Sequence, residues 1–174
     1  QGLKMIYEPR EDSYLFKEYI EGLNLEGKKC LDMGTGSGIL ADAMLESGAE
    51  KVSAADINPE ASEKAPEKAK FVESDLFEKI DSDFDLIAFN PPYLPEERDK
   101  GLEGKEVWRG GGEGTELTER FLDQAFEHLN GGGVIVTMLS SLAEFGEIEQ
   151  KFDFEVVEEL NLWFERLYLI KLKE

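Results

Sequence analysis

The chain has 174 residues and is 41% hydrophobic, enough for one domain with a real core and too apolar for a disordered segment. It carries 39 acids against 19 bases, a net charge of −20, which opposes binding modes that rest on phosphate backbones and favours basic protein partners or basic cofactor groups. A lone cysteine, Cys30, excludes an internal disulfide and a cysteine-based zinc site, and no apolar run approaches the roughly 20 residues of a membrane span, so a cytoplasmic setting is expected.

The first residue, Gln1, reads as a trimmed or engineered start, and no charged-then-apolar leader follows it. Residues 11–23 have helical spacing, with Asp12 or Ser13 as candidate caps. A strand is expected over 28–34, then an amphipathic helix over 38–49 that stops near Gly48. Strands follow over 51–57, 70–77 and 84–90, with room for only a short helix before Pro66. The segment 91–114 reads as a long functional loop. A strong helix covers 115–129, a buried strand 131–140, a weaker helix follows with Gly146 inside it, and 154–173 reads as two strands joined tightly. The order predicts one α/β domain over 1–174, with a mostly parallel sheet closed by an antiparallel C-terminal pair.

The turn "LDMGTGSGIL" joins the first strand to the second helix, and Asp32, Gly34, Gly36 and Gly38 fall at every second position. Glycines let a backbone turn tightly and approach a ligand, and the following helix points its N-terminus at that ligand. The spacing is not that of a dinucleotide turn, because the third glycine comes one residue early. A leading carboxylate repels pyrophosphate and attracts an ammonium, so a ligand with an amino-acid end fits better. Asp56 ends the second strand, about 20 residues on, where an acid can hold ribose hydroxyls. Ser74-Asp75-Leu76 ends the third: the acid can accept from an exocyclic amine while Leu76 packs on a purine.

The fourth strand runs into Asn90-Pro91-Pro92-Tyr93. Two prolines remove two donors and fix two φ angles. The Asn90 side-chain oxygen and the Pro91 carbonyl can accept from the two N–H bonds of a nitrogen whose lone pair is delocalised, and Tyr93 can pack on its planar group. Neither a metal nor a covalent nucleophile is needed.

These features resemble the class I S-adenosylmethionine-dependent methyltransferases over about residues 28–140. The resemblance implies their Rossmann-like three-layer fold with a seven-stranded sheet, S-adenosyl-L-methionine as donor and S-adenosyl-L-homocysteine as product. It implies cofactor contacts from Asp32, Gly34, Thr35, Gly36, Gly38, Asp56, Ile57, Asp75, Leu76 and Asn90, with Asn90, Pro91, Pro92 and Tyr93 at the transfer site. The segment "YEPREDSYLF" and the stretch "WRGGGEGTELTERFLDQA" further resemble the HemK-related glutamine methyltransferases. There, residues 1–24 would cover the cofactor, with Tyr7, Pro9 and Ser13 touching it, and 91–114 would face the substrate. That family methylates the glutamine of the Gly-Gly-Gln motif in peptide-chain release factors. Adenine methyltransferases acting on DNA or RNA share the tetrapeptide and are the alternative, but no basic recognition region is visible.

The glycine turn begins as early as Gly34, which resembles the eukaryotic and archaeal branch. Some members of that branch pair as heterodimers with a small zinc-binding activator. Such a subunit is expected on the third strand, at Phe71-Val72, an edge that Lys70 and Glu73 could otherwise blunt. His128 reads as a cation near a helix C-terminus, Cys30 as core, and Trp163, Phe164, Tyr168 and Leu169 as sheet interior.

Overall fold

In the computed structural model, residues 8–92, 115–143 and 145–173 are described. Helix α1 spans Glu11–Glu21, α2 Ile39–Glu46, α3 Glu116–Ala125 and α4 Gly146–Lys151. The strands are β1 (Lys29–Met33), β2 (Lys51–Asp56), β3 (Lys70–Glu73), β4 (Phe84–Phe89), β5 (Leu129–Ser140), β6 (Glu155–Asn161) and β7 (Arg166–Lys173). They form one sheet in the order β3-β2-β1-β4-β5-β7-β6. Strands β1 to β5 pair in parallel, and β7 runs antiparallel to both β5 and β6. The expected mostly parallel sheet with an antiparallel end is therefore present.

Both faces are covered, because the strands are apolar on both. Successive residues alternate between two clusters. Cys30, Leu86, Val136 and Leu169 pack with Phe16 and Ile20 of α1 and with Leu40 and Met44 of α2. Leu31, Ile87, Ile135 and Ile170 pack with Phe121 and Leu122 of α3 and Ile148 of α4. Cys30 belongs to the first cluster, and burial pushes its thiol up to about 12, which makes it inert.

Several boundaries differ from the expected ones. β3 ends at Glu73, not at 77, because the Ser74 hydroxyl donates to the Leu76 carbonyl and accepts from the Lys79 N–H, which turns the chain. α2 is shorter than 38–49 at both ends. α4 starts only at Gly146, after a turn in which the Ser140 hydroxyl accepts from the Leu142 N–H. Neither Asp12 nor Ser13 caps α1. The cap is Arg10, whose N–H donates to the Ser13 Oγ at 3.4 Å.

Trp163 and Phe164 are not sheet interior. They sit in the turn between β6 and β7, closed by Leu162 N–H to Glu165 O at 2.8 Å, and both are exposed. Leu169 is buried as expected, and Tyr168 is half-buried. His128 ends the 3₁₀ segment Phe126–His128 that continues α3, the expected helix C-terminal place, and there it stacks on Phe77 at 4.6 Å with its Nδ1 3.1 Å from the Ser82 carbonyl. No described helix is long and apolar enough to cross a membrane.

The chain lays β1, β2 and β3 outward to one edge, then returns to place β4 on the other side of β1. The strand order thus reverses between β1 and β4, the position where open α/β sheets leave a crevice at their carboxyl ends.

Candidate active site

Two turns meet at that crevice. Met33 pairs with Phe89 in register, so the glycine turn after β1 and the Asn90-Pro91 exit from β4 start as neighbours. Gly34, Gly36 and Gly38 have φ of 63°, 49° and 80°, the left-handed region that side chains disfavour. A Cβ on Gly34 would stand 3.0 Å from the Phe89 ring, and one on Gly38 only 2.6 Å from the Lys64 carbonyl. The turn is tied to β2 through Thr35 N–H to Ala55 O, 2.9 Å.

Asp32 braces this turn from beneath. Its Oδ2 accepts from the Thr35 hydroxyl at 2.7 Å and from the Ala41 N–H at 3.1 Å. The residue is buried, and burial raises its pKa to about 7, against the lowering effect of the bonds from Thr35 and Ala41. Through this oxygen the carboxylate acts as a brace within the turn. Asp56, half-buried at the end of β2, accepts from Gly36 N–H at 2.9 Å and Asn58 N–H at 2.8 Å. It fixes the second glycine of the turn while standing beside it. Ile57 follows, 57% exposed, an apolar platform next to the acid.

The third strand end is arranged differently. Leu76 is buried in the core with φ 47°, and Asp75 makes an exposed 3.5 Å pair with Arg120 of α3, worth little by itself. Ser13 is buried on α1 and Pro9 is half-buried. Tyr7, Tyr93 and residues 94–114 of the expected substrate loop lie outside the described residues.

At the exit of β4, the Thr137 hydroxyl of β5 donates to the Phe89 carbonyl at 2.8 Å and holds the strand end. Pro91 is buried and Pro92 half-buried. The Asn90 Nδ2 donates to Asp12 Oδ2 at 2.9 Å. Its Oδ1 is buried and has no hydrogen-bond partner among the described residues. Buried acceptors are rarely left so, because the lost hydration is not returned. An unpaired oxygen here fits an incoming N–H donor. Asp12 was legible only as a helix-start acid; nothing in its local spacing announces a partner 78 residues away. A hollow of about 340 Å³ on the β6–β7 hairpin, lined by Ser141, Asn161, Phe164 and Arg166 among others, shares no residue with this constellation.

The family described as methyltransferase small domain matches residues 13–161. A Methanocaldococcus jannaschii protein provisionally named a protein N5-glutamine methyltransferase is 35% identical, covering 98% of this chain and 95% of its own length. The mouse methyltransferase HEMK2 is 33% identical over 74% of this chain and 69% of its own. Among solved structures, the E. cuniculi Mtq2–Trm112 complex, responsible for methylation of the translation termination factor eRF1, superposes with a TM-score of 0.77 and 26% identity, covering 99% of both chains.

Proposed function

Since this chain belongs to the methyltransferase small-domain family, we propose that it methylates the side-chain amide nitrogen of the glutamine in the Gly-Gly-Gln motif of a peptide-chain release factor. The observation that carries the reading is the buried Oδ1 of Asn90, unpartnered among the described residues, at the end of β4 beside the glycine turn. The names of the relatives in M. jannaschii and E. cuniculi support the substrate class.

The residues present fit S-adenosyl-L-methionine. A left-handed glycine turn admits close approach, Asp56 offers a carboxylate for ribose hydroxyls, and exposed Ile57 offers an apolar face for a base. Gly34, Thr35, Gly36 and Gly38 would form the cradle, with Asp32 holding it rigid from below. Pro9, Ser13, Asp75, Leu76 and Tyr7 remain proposed cofactor neighbours. The bound sulfonium supplies an already activated methyl group. The chain's own task is to align the acceptor nitrogen, whose lone pair is delocalised into the amide. Asn90 Oδ1 and the Pro91 carbonyl accept its two N–H bonds and stabilise the positive charge that develops on nitrogen. The role proposed for Tyr93 is to pack on the planar amide, and Pro92 keeps the exit stiff.

A small zinc-binding partner completes the reading. β3 is the edge strand and has only four residues. Phe71 and Val72 are half-buried against opposite core clusters, so a further strand would extend both faces. Only a 3₁₀ segment, Pro59–Glu63, fills the β2–β3 connection where a helix would otherwise stand. The reaction is assigned to the cytoplasm, where free Cys30 stays reduced.

The test is radiolabelled methyl transfer to a release factor, with the chain alone and co-expressed with its activator. Label is expected on the wild-type factor and not on one whose motif glutamine is replaced. Transfer to a nucleic acid and not to the factor would overturn the substrate. Full activity of the chain alone, unaltered by Phe71→Lys, would overturn the partner.

A further inference from the structure

We propose that Asp12 is a positioning residue for the transfer step: it fixes the side-chain amide of Asn90 with its oxygen toward the methyl acceptor. The role in transfer rests on the function proposed above; the orientation itself does not. Asp12 is the second residue of α1 and is only 4% exposed. An acid in the first turn of a helix suits the helix dipole, and that alone would explain an exposed aspartate. It does not explain a buried one, because removing a carboxylate from water is costly unless its bonds return the loss. One of those bonds joins α1 to the exit of β4, from Asn90 Nδ2 to Asp12 Oδ2 at 2.9 Å.

That bond has a direction. A carboxylate only accepts, whereas an amide donates from nitrogen and accepts at oxygen. Turning the Asn90 amide over would bring two oxygens together at 2.9 Å, so the amide is held one way round. The consequence lies on its other side, where Oδ1 is buried and unpartnered among the described residues. Asp12 thereby directs Asn90 Oδ1, not its N–H₂, toward the transfer point. An acceptor nitrogen bears N–H groups. An Asn90 free to rotate would present its own N–H₂ to them part of the time and repel them.

A second effect runs in the same direction. A donor bond to a carboxylate polarises the amide and adds negative charge to its oxygen. The oxygen then becomes a stronger acceptor as the substrate nitrogen turns positive. The helix that carries Ser13 and the segment 8–10 is in this way bonded to the transfer residue, so the N-terminal segment and the β4 exit are set by one contact.

The experiment is a double-mutant cycle on methyl transfer with Asp12→Ala, Asp12→Asn, Asn90→Ala and the Ala–Ala pair. Asp12→Ala is expected to lower kcat by about 10- to 100-fold, the loss of one charge-assisted bond, with the cofactor KM little changed. Asp12→Asn keeps an oxygen that can accept the same bond and should recover part of the rate. In the Asn90→Ala background, Asp12→Ala should cost nothing further. Losses that multiply in the double variant, or an unaltered kcat in Asp12→Ala, overturn the proposal. A second readout needs no substrate. The Asn90 side-chain amide protons, assigned by their absence in Asn90→Ala, should exchange slowly with solvent in the wild type and about tenfold faster or more in Asp12→Ala. Equal exchange rates overturn the proposal even if Asp12→Ala is less stable. If the wild type methylates no release factor while the exchange difference is present, the substrate reading fails and the orientation stands.

Discussion

The turn after β1 and the turn after β4 lie side by side, yet they are built from opposite kinds of residue. The first gains backbone freedom: three glycines in left-handed conformations, with donors already held by Asp32 and Asp56. The second gives freedom up: two prolines follow an asparagine whose oxygen is buried with no partner among the described residues. The glycine turn is held within the fold through the Thr35, Gly36 and Gly38 N–H groups, as a cradle must be if it is to keep its shape before anything binds. The proline exit leaves one acceptor unsatisfied, and that deficit is what an incoming N–H group can relieve. Mutations should therefore separate the two: damage to the first should appear in stability and cofactor affinity, damage to the second in turnover.

The largest expected effect is Asn90→Ala. It removes the unpartnered oxygen, so kcat should fall by about 100-fold or more while calorimetry finds cofactor affinity largely spared. Equal losses in both would erase the distinction between the turns. Gly38→Ala attacks the other side. The new Cβ meets the Lys64 carbonyl in a left-handed conformation, and a cost of about 1–3 kcal/mol should lower the melting temperature by several degrees and weaken cofactor binding.

Asp32→Asn sharpens the comparison through pH. The folded pKa of about 7 lies above the ordinary 3.8, so the folded chain keeps a proton that the unfolded chain releases. The wild-type contribution is fully present below about pH 4 and is lost as pH rises to about 7, by up to about 1.4 kcal/mol per pH unit. Asparagine keeps an acceptor for Thr35 and Ala41 without that loss. The melting temperature of the variant relative to wild type should rise between pH 5 and pH 8. A flat difference across that range would show that Asp32 does not titrate there.

The smallest effect is expected for Thr137→Val. It leaves the buried Phe89 carbonyl without this donor, at a cost of about 1 kcal/mol. Because that carbonyl precedes Asn90, kcat should drop a few-fold with cofactor affinity unchanged. A variant that melts earlier but turns over normally would confine Thr137 to stability.

Much of this architecture follows from sequence-local physics. Alternating apolar residues in Cys30–Leu31, Leu86–Ile87 and Ile135–Val136 fix strands covered on both faces. Glycines at 34, 36 and 38 and prolines at 91 and 92 restrict or free φ whatever surrounds them, so both turns are legible before any contact is known. Tertiary structure decided what depends on burial and on partners far along the chain. Ser74 ends β3 through its own hydroxyl, an outcome that strand propensity cannot foresee. Trp163 and Phe164 look like core by composition and lie exposed because the hairpin turns there. Asp32 is buried and braces the turn through Thr35 and Ala41, a role that only the packed fold shows. Asp12 looks like a helix-start acid and becomes the partner of Asn90, because a hydrogen bond between residues 78 apart exists only once α1 has packed beside β4.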